Sequence, residues 1–355
     1  MAETQPAPEV PTELIDVAAL QRFVLEHVPG AEPPLEAHKH EAGMSNETFF
    51  VTCGDQEWVL RRPPRGELLP TSHDVLREWR VIHALYGTGA RVPRPIAACA
   101  DLSVIGAPFY LMERVHGSVI REEIPAALDN PAERGRIAEE LITALVEIHA
   151  ADWQRVGLGD LGKPAGYLER QVRRWAGQLD LTRVHTRELP GIDEVTDWLR
   201  QSLPASGPTT LVHGDYALHN VLFSETAPAC LTAVLDWEMS TLGDPLADLG
   251  YCLAAWADPG LPAEDLLTEA QRLTMREGFP ARGELAAMYA EKSGRSVRDV
   301  TFYVVLAVWK LAIIGEGLYA LYLEGRAANP KAAEFVERVP RTVERALRII
   351  GESSR

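Results

Sequence analysis

The 355-residue sequence predicts an α+β fold in two parts, a small lobe built on an antiparallel sheet and a larger, mainly helical lobe. Three observations point there. Residues 48–53 and 57–61 read as strands that meet at Gly54-Asp55, as a hairpin would. A second apolar run at 109–113 leads straight into Arg114-Val115-His116-Gly117, where a domain boundary belongs. Beyond Gly117 the pattern is helical except for one polar-rich stretch, residues 211–251. The expected layout is a mobile N-terminus over 1–11, an N-terminal lobe over 12–115 and a helical lobe over 116–355.

Composition narrows the function classes. A hydrophobic content of 46% is ample for a core, and the length allows one large or two medium domains. The net charge of −16 offers no basic stripe to nucleic-acid phosphates. Cys53, Cys99, Cys230 and Cys252 have no paired spacing, which argues against a zinc site or a disulfide framework. No apolar run reads as reaching bilayer length, and MAETQPAPEVPTE lacks the basic and apolar regions of a signal peptide, so a cytoplasmic protein with no membrane partner is expected. Charge is uneven: residues 1–60 hold eleven acids and two bases, residues 301–355 six acids and eight bases.

In chain order, a helix is expected over 16–27, with Leu20, Phe23 and Val24 on one face and Pro29-Gly30 closing it. A small polar loop of Gly43, Ser45 and Asn46 precedes the hairpin. A second helix over 74–87 presents Val75, Trp79, Ile82 and Leu85 at helical spacing, with Ser72 or His73 near its start. Residues 91–95 read as a proline-bounded connector. Asn130-Pro131 supplies an N-cap and a first-turn proline for a core helix carrying Ile137, Leu141, Leu145 and Ile148. His149, alone on that helix, reads as structural. Asp244-Pro245 starts a helix over 246–256 whose first turn holds Asp248, and both aspartates read as braces. Helices near 263–276, 281–292, 297–323 and 331–350 complete the chain. Phe302, Tyr303, Trp309, Tyr319 and Tyr322 read as mostly core, with some lining an acceptor pocket.

The chemistry concentrates in LVHGDYALHNVLF. Leu211-Val212 and Val221-Leu222-Phe223 read as short buried strands, and the turn between them carries His213, Asp215, His219 and Asn220. The apolar run 231–235 ends at Asp236, which a hairpin-like return would bring beside Asp215 and Asn220. Such ligands are all oxygen, which suits Mg²⁺. Residues 201–250 contain six acids and no Lys or Arg, so a metal ion is the natural counter-charge. A base followed by two metal ligands is the phosphoryl-transfer pattern. A turn merely capped by Asp215 and Asn220 is the plainer alternative.

HGDYALHN followed by LDWEMSTLGDPLADL resembles the aminoglycoside-phosphotransferase-like kinases, small-molecule relatives of the protein kinases. The resemblance covers roughly residues 35–325 and implies the bilobal protein-kinase-like fold. By that resemblance Asp215 orients and deprotonates the acceptor hydroxyl, while Asn220 and Asp236 hold magnesium. Ser45 and Asn46 belong to the loop that covers the nucleotide phosphates. Trp58-Val59-Leu60-Arg61 aligns with the Val-Ala-Ile-Lys strand, so Arg61 stands where a lysine usually meets the phosphates, and Glu78 is its ion-pair partner. Backbone groups of Glu113 and Val115 would bond the adenine edge, with Met112 packed behind. LVEIHAADWQRVGL and GYLERQVRRWAGQL resemble a branch related to kinase-like domains fused to some acyl-CoA dehydrogenases. The implied function is transfer of the ATP γ-phosphoryl group to a small-molecule hydroxyl, on a hydroxyacyl compound or its CoA thioester. The alternatives are an aminoglycoside phosphotransferase and a catalytically idle nucleotide-binding regulator. Only Arg61 favours the idle reading, since Asp215, Asn220 and Asp236 are all present. Nothing after Asp236 resembles an activation segment ending in Ala-Pro-Glu, which argues against a protein kinase.

Overall fold

The computed structural model describes residues 15–40, 46–64, 74–205, 207–258, 269–327 and 330–353. The expected N-terminal segment 1–11, Gly43, Ser45, Ser72, His73 and the first part of the helix expected over 263–276 lie outside these. The chain divides into two compact units. Met1–His116 with Leu235–Glu238 form the first, and Gly117–Val234 with Met239–Arg355 form the second. The sequence had placed Leu235–Glu238 with the helical part.

The first unit is a five-stranded antiparallel sheet of β1 (Leu35–His40), β2 (Glu47–Cys53), β3 (Gln56–Arg62), β4 (Pro95–Cys99) and β5 (Phe109–Glu113), in the order β1-β2-β3-β5-β4. Alternation along the strands separates its two faces. Phe49, Val51, Trp58, Leu60, Phe109 and Leu111 join one buried cluster with Leu20 and Val24 of α1 (Val17–His27). Asp16 caps that helix by accepting from the Ala19 N–H. Val59, Arg61 and Tyr110 alternate with the cluster residues and so take the other face, where α2 (Val75–Leu85) lies. Asp74, rather than Ser72 or His73, caps α2, accepting from the Arg77 N–H at 3.0 Å. Two strands escaped the sequence reading. β1 lies behind a proline-rich turn, and β4 is an edge strand that opens with Pro95, where a missing N–H does no harm. The four-residue α3 (Leu102–Ile105) separates β4 from β5.

The second unit contains α4 (Pro131–Ala150), α5 (Tyr167–Arg183) and α6 (Ile192–Gln201) ahead of two short ladders. β6 (Thr210–Val212) pairs antiparallel with β9 (Thr241–Gly243), and β7 (Val221–Phe223) with β8 (Leu231–Val234). Then come α7 (Leu246–Ala254), α8 (Glu269–Thr274), α9 (Arg282–Ser293), α10 (Val300–Leu323) and α11 (Phe335–Ser353). α10 packs against α5, α6, α7 and α11. It corrects the expectation about apolar runs, because by length and composition it could cross a membrane. Within the unit 61% of its most apolar window is buried, as for a helix surrounded by other helices.

The α7–α10 crossing depends on Gly250, where an added Cβ would lie 2.5 Å from the Tyr303 carbonyl carbon and Cβ. Gly250→Ala should therefore destabilise the protein by about 1–3 kcal/mol. Gly177 on α5 has nothing within 4 Å of such a Cβ. Gly177→Ala should add up to about 1 kcal/mol through helix propensity. Urea unfolding of both variants checks the contrast.

Candidate active site

In the first unit, acidic groups gather around one guanidinium. Arg61 Nη1 lies 3.5 Å from Glu78 Oε1, and Nη2 lies 3.8 Å from Asp236 Oδ1. α2 also fixes the segment that carries Asp236: Trp237 N–H donates to Glu78 Oε1 at 3.3 Å, and Arg77 donates to the Glu238 carbonyl at 3.0 Å. Asn46, buried ahead of β2, donates to Glu238 Oε2 at 3.2 Å. Asp236 has φ +64°, the one left-handed non-glycine among the described residues. Aspartate tolerates that conformation better than most residues, and strain of this kind gathers at functional positions.

Electrostatics there favour one more positive charge. Burial is the largest influence on Glu78 and raises its pKa; Arg61 opposes it, Asp236 and Glu238 add to it, and the result is about 7. Burial works against the charge on Arg61, but Glu78, Tyr110, Asp236 and Glu238 overcome it and the guanidinium stays charged. Asp236 Oδ1, Glu78 Oε2 and Asn46 Oδ1 are buried without hydrogen-bond partners. Met112 is buried near the end of β5, and Glu113 N–H donates to the Arg94 carbonyl at 2.8 Å. Val115 lies beyond that strand, outside its ladder.

In the second unit the turn from β6 to β7 is held from below by a buried carboxylate. Asp248 Oδ2 accepts from His213 N–H at 2.7 Å, and Oδ1 from Gly214 N–H at 2.8 Å. His149 Nε2 lies 3.2 Å from the same Oδ2, and a carboxylate can only accept, so Nε2 carries the proton. Its Nδ1 is then free to accept from the Tyr289 hydroxyl at 2.8 Å. His149 is thus a brace of Asp248, in keeping with its structural reading. Asp244 braces the next turn, accepting from Leu246 N–H at 3.0 Å and the Tyr303 hydroxyl at 2.8 Å. Gly214 has φ +88°, and an added Cβ would lie 2.7 Å from the Met239 carbonyl oxygen. Only glycine fits there.

The turn presents Asp215. Asn220 Nδ2 donates to the Asp215 carbonyl at 2.8 Å and to Oδ2 at 2.9 Å, so the pair the sequence predicted is formed. Its own Oδ1 makes no hydrogen bond among the described residues. His219 Nε2 lies 3.9 Å from Asp215 Oδ1. Burial would raise the pKa of Asp215, but His219, the Tyr251 hydroxyl and the Lys310 charge outweigh it and bring it down to about 2. Burial and the Asp215 charge raise the Tyr251 phenol, so it stays protonated.

The sequence reading missed Tyr251 and Lys310. Lys310 carried a signal: within α10 it is the single base, and Glu316 the single acid, of a 24-residue stretch. The structure brings Asn46, Arg61, Glu78 and Asp236 together in one unit and Asp215 with Asn220 in the other. Each unit offers an oxygen that suits a hard cation: in the first Asp236 Oδ1, buried without a hydrogen-bond partner, and in the second the amide oxygen of Asn220, whose Nδ2 is the group bonded to Asp215.

The antiparallel-sheet unit and the helical unit are those of the protein-kinase-like fold. This chain belongs to the APH family of phosphotransferase enzymes, whose model matches residues 36–286. It is 33% identical to a Ralstonia eutropha JMP134 protein provisionally assigned as an aminoglycoside phosphotransferase, covering 95% of this chain and 99% of that one with a TM-score of 0.81. Choline kinase from Cryptosporidium parvum shares the fold, at 13% identity and a TM-score of 0.64, over 94% of this chain and 95% of that one. Acyl-CoA dehydrogenase family member 11 of Gallus gallus is 35% identical over 94% of this chain. The match takes in 43% of that relative, so the chain spans less than half the length of the protein it resembles.

Glu78 makes stability pH-dependent. Its folded pKa of about 7 lies above the ordinary 4.5, so its contribution is complete below about 4.5 and is lost as pH rises through about 7. Between pH 5 and 8 the wild type should lose unfolding free energy relative to Glu78→Gln, measured by urea titration without nucleotide. Parallel pH profiles would show that Glu78 is not the titrating group.

Proposed function

We propose that the chain transfers the γ-phosphoryl group of ATP to a hydroxyl of a small hydroxylated acyl compound, free or as its CoA thioester, with magnesium. The observation that carries this is the Asp215 carboxylate, held ionised by its surroundings and fixed at both backbone and side chain by Asn220. Asp215 accepts a hydrogen bond from the acceptor hydroxyl and aims its lone pair. A largely dissociative transition state asks little of a base, so orientation matters more than basicity, and a carboxylate of low pKa serves. Arg61, kept in place by Glu78, meets the nucleotide phosphates, with Asn46 and Ser45 supplying donors. Backbone groups of Glu113 and Val115 bond the adenine edge, and Met112 packs behind it. Asp236 and Asn220 would hold magnesium, which when bound would offset charge on the phosphates.

The acyl acceptor is supported by the name of the dehydrogenase relatives and by charge. An aminoglycoside is a polycation and would want clustered carboxylates. The last 55 residues instead carry eight bases against six acids. The provisional assignment of the Ralstonia protein favours the aminoglycoside reading, so both acceptor classes belong in one screen of ADP release, with hydroxy acids, acyl-CoAs and aminoglycosides side by side.

Asp215→Asn should remain folded and keep most of its MgATP affinity, while turnover on the acceptor found falls by roughly 10²–10⁴. Near-normal turnover in a folded variant would mean that the aspartate only caps the turn. MgATP should raise the melting temperature more than ATP with chelator does, and Asp236→Ala should abolish that difference. A chelator-insensitive protein would remove the metal assignment.

A further inference from the structure

Lys310 projects from α10 toward the turn that carries Asp215. Its Nζ donates to the Gly214 carbonyl at 3.2 Å and faces the rings of Tyr251 at 5.3 Å and Trp175 at 5.4 Å. Among the described residues it forms no ion pair; Asp215 and Asp248 act on it only through space. Burial, the largest influence, lowers its pKa. A desolvated ammonium with three donors, one of them bonded to a neutral carbonyl, is short of negative partners.

The same ammonium lines a pocket of about 40 Å³ with Trp175, Tyr251, Tyr167, Tyr303 and Gly214. That is room for a group the size of a carboxylate or a carbonyl. The Tyr251 phenol also helps to lower the pKa of Asp215, so the pocket borders the proposed base. Two aromatic faces of this kind ordinarily attract a ligand cation. Here Lys310 already occupies that position, and the Arg174 guanidinium carbon lies 5.8 Å from the Trp175 ring centroid. An ammonium brought in by a ligand would meet like charge where water is scarce.

We infer that Lys310 is a specificity-determining residue of the acceptor pocket: its ammonium receives an acyl oxygen of the acceptor and turns away acceptors that carry an ammonium at that point. The inference rests on the kinase reading above and names which acceptors that site takes. A carboxylate and a thioester carbonyl offer the same oxygen chemistry, and the test separates them.

Four probes on one five-carbon skeleton suffice: a hydroxy acid, its CoA thioester, the matching diol and the matching amino alcohol. Calorimetry with MgADP present reads binding, and ADP release reads turnover. The acid or the thioester should bind at least about tenfold tighter than the diol, with the amino alcohol weakest. Whichever of the first two binds tighter identifies the source of the oxygen. Lys310→Met should cost that ligand about 10- to 100-fold and leave the diol within about threefold, whereas Lys310→Arg keeps the order. The MgATP thermal shift serves as the folding control. The inference is overturned if the wild type binds the amino alcohol as well as the acid and thioester, if it binds none of the four, or if folded Lys310→Met keeps the acid-to-diol ratio. Should Lys310→Met not fold, the wild-type order and the arginine variant decide. Phosphorylation of the amino alcohol would sink this inference and leave the kinase reading standing. Absence of MgATP binding alongside a retained acid preference would do the reverse.

Discussion

The central turn depends on a carboxylate that is itself fully buried. Asp248 is 0% exposed and answers two successive backbone N–H groups, those of His213 and Gly214, while His149 and Tyr289 hold it from behind. A buried charge is tolerated when every lone pair it presents is met, and this one sits in the first turn of α7, where the helix dipole also favours it. The positive φ of Gly214 follows from that grip, and Asp215 is presented because the two residues before it are pinned. Replacing the anchor would leave the buried His213 N–H and the partly buried Gly214 N–H without partners, a cost larger than that of losing a surface ion pair.

The two units solve opposite charge problems. In the first, Glu78, Asp236 and Glu238 act on one guanidinium, and the Glu78 pKa is raised by burial first and by the neighbouring carboxylates second, with Asp236 Oδ1 and Glu78 Oε2 left without hydrogen-bond partners. In the second, Asp215 is drawn down by His219, Tyr251 and Lys310. A surplus of negative charge suits a site that takes cations with its ligand. A carboxylate already balanced by its neighbours suits the orientation of a hydroxyl.

Much of this was legible in the sequence because the informative features are local. The hairpin at Gly54-Asp55, the Asn130 cap, the Asp244-Pro245 start of α7 and the pairing of Asp215 with Asn220 each lie within a few residues of their causes. β1 and β4 were not legible, since a sheet edge is defined by its neighbour rather than by its own pattern, and LEAHKH is mostly polar. Tyr251 and Lys310 reach the central turn from α7 and α10, and no spacing rule connects residue 310 to residue 214. The membership of Leu235–Glu238 in the first unit was hidden for the same reason: contacts with α2 decide it, across more than 150 positions of sequence.

That membership bears on how the protein is made. On a ribosome the sheet of the first unit is complete at Glu113, yet the Asp236 and Trp237 contacts to Arg61 and Glu78 cannot form until α4, α5, α6 and the β7–β8 ladder have been synthesised. Until then Glu78 lacks the Trp237 N–H that it accepts in the finished fold. A fragment ending at His116 would keep every strand and lack the four-residue patch that finishes its polar face. The order of translation therefore delivers the scaffold first and the acidic groups Asp236 and Glu238 of the Arg61 cluster only after about half of the second unit has been made.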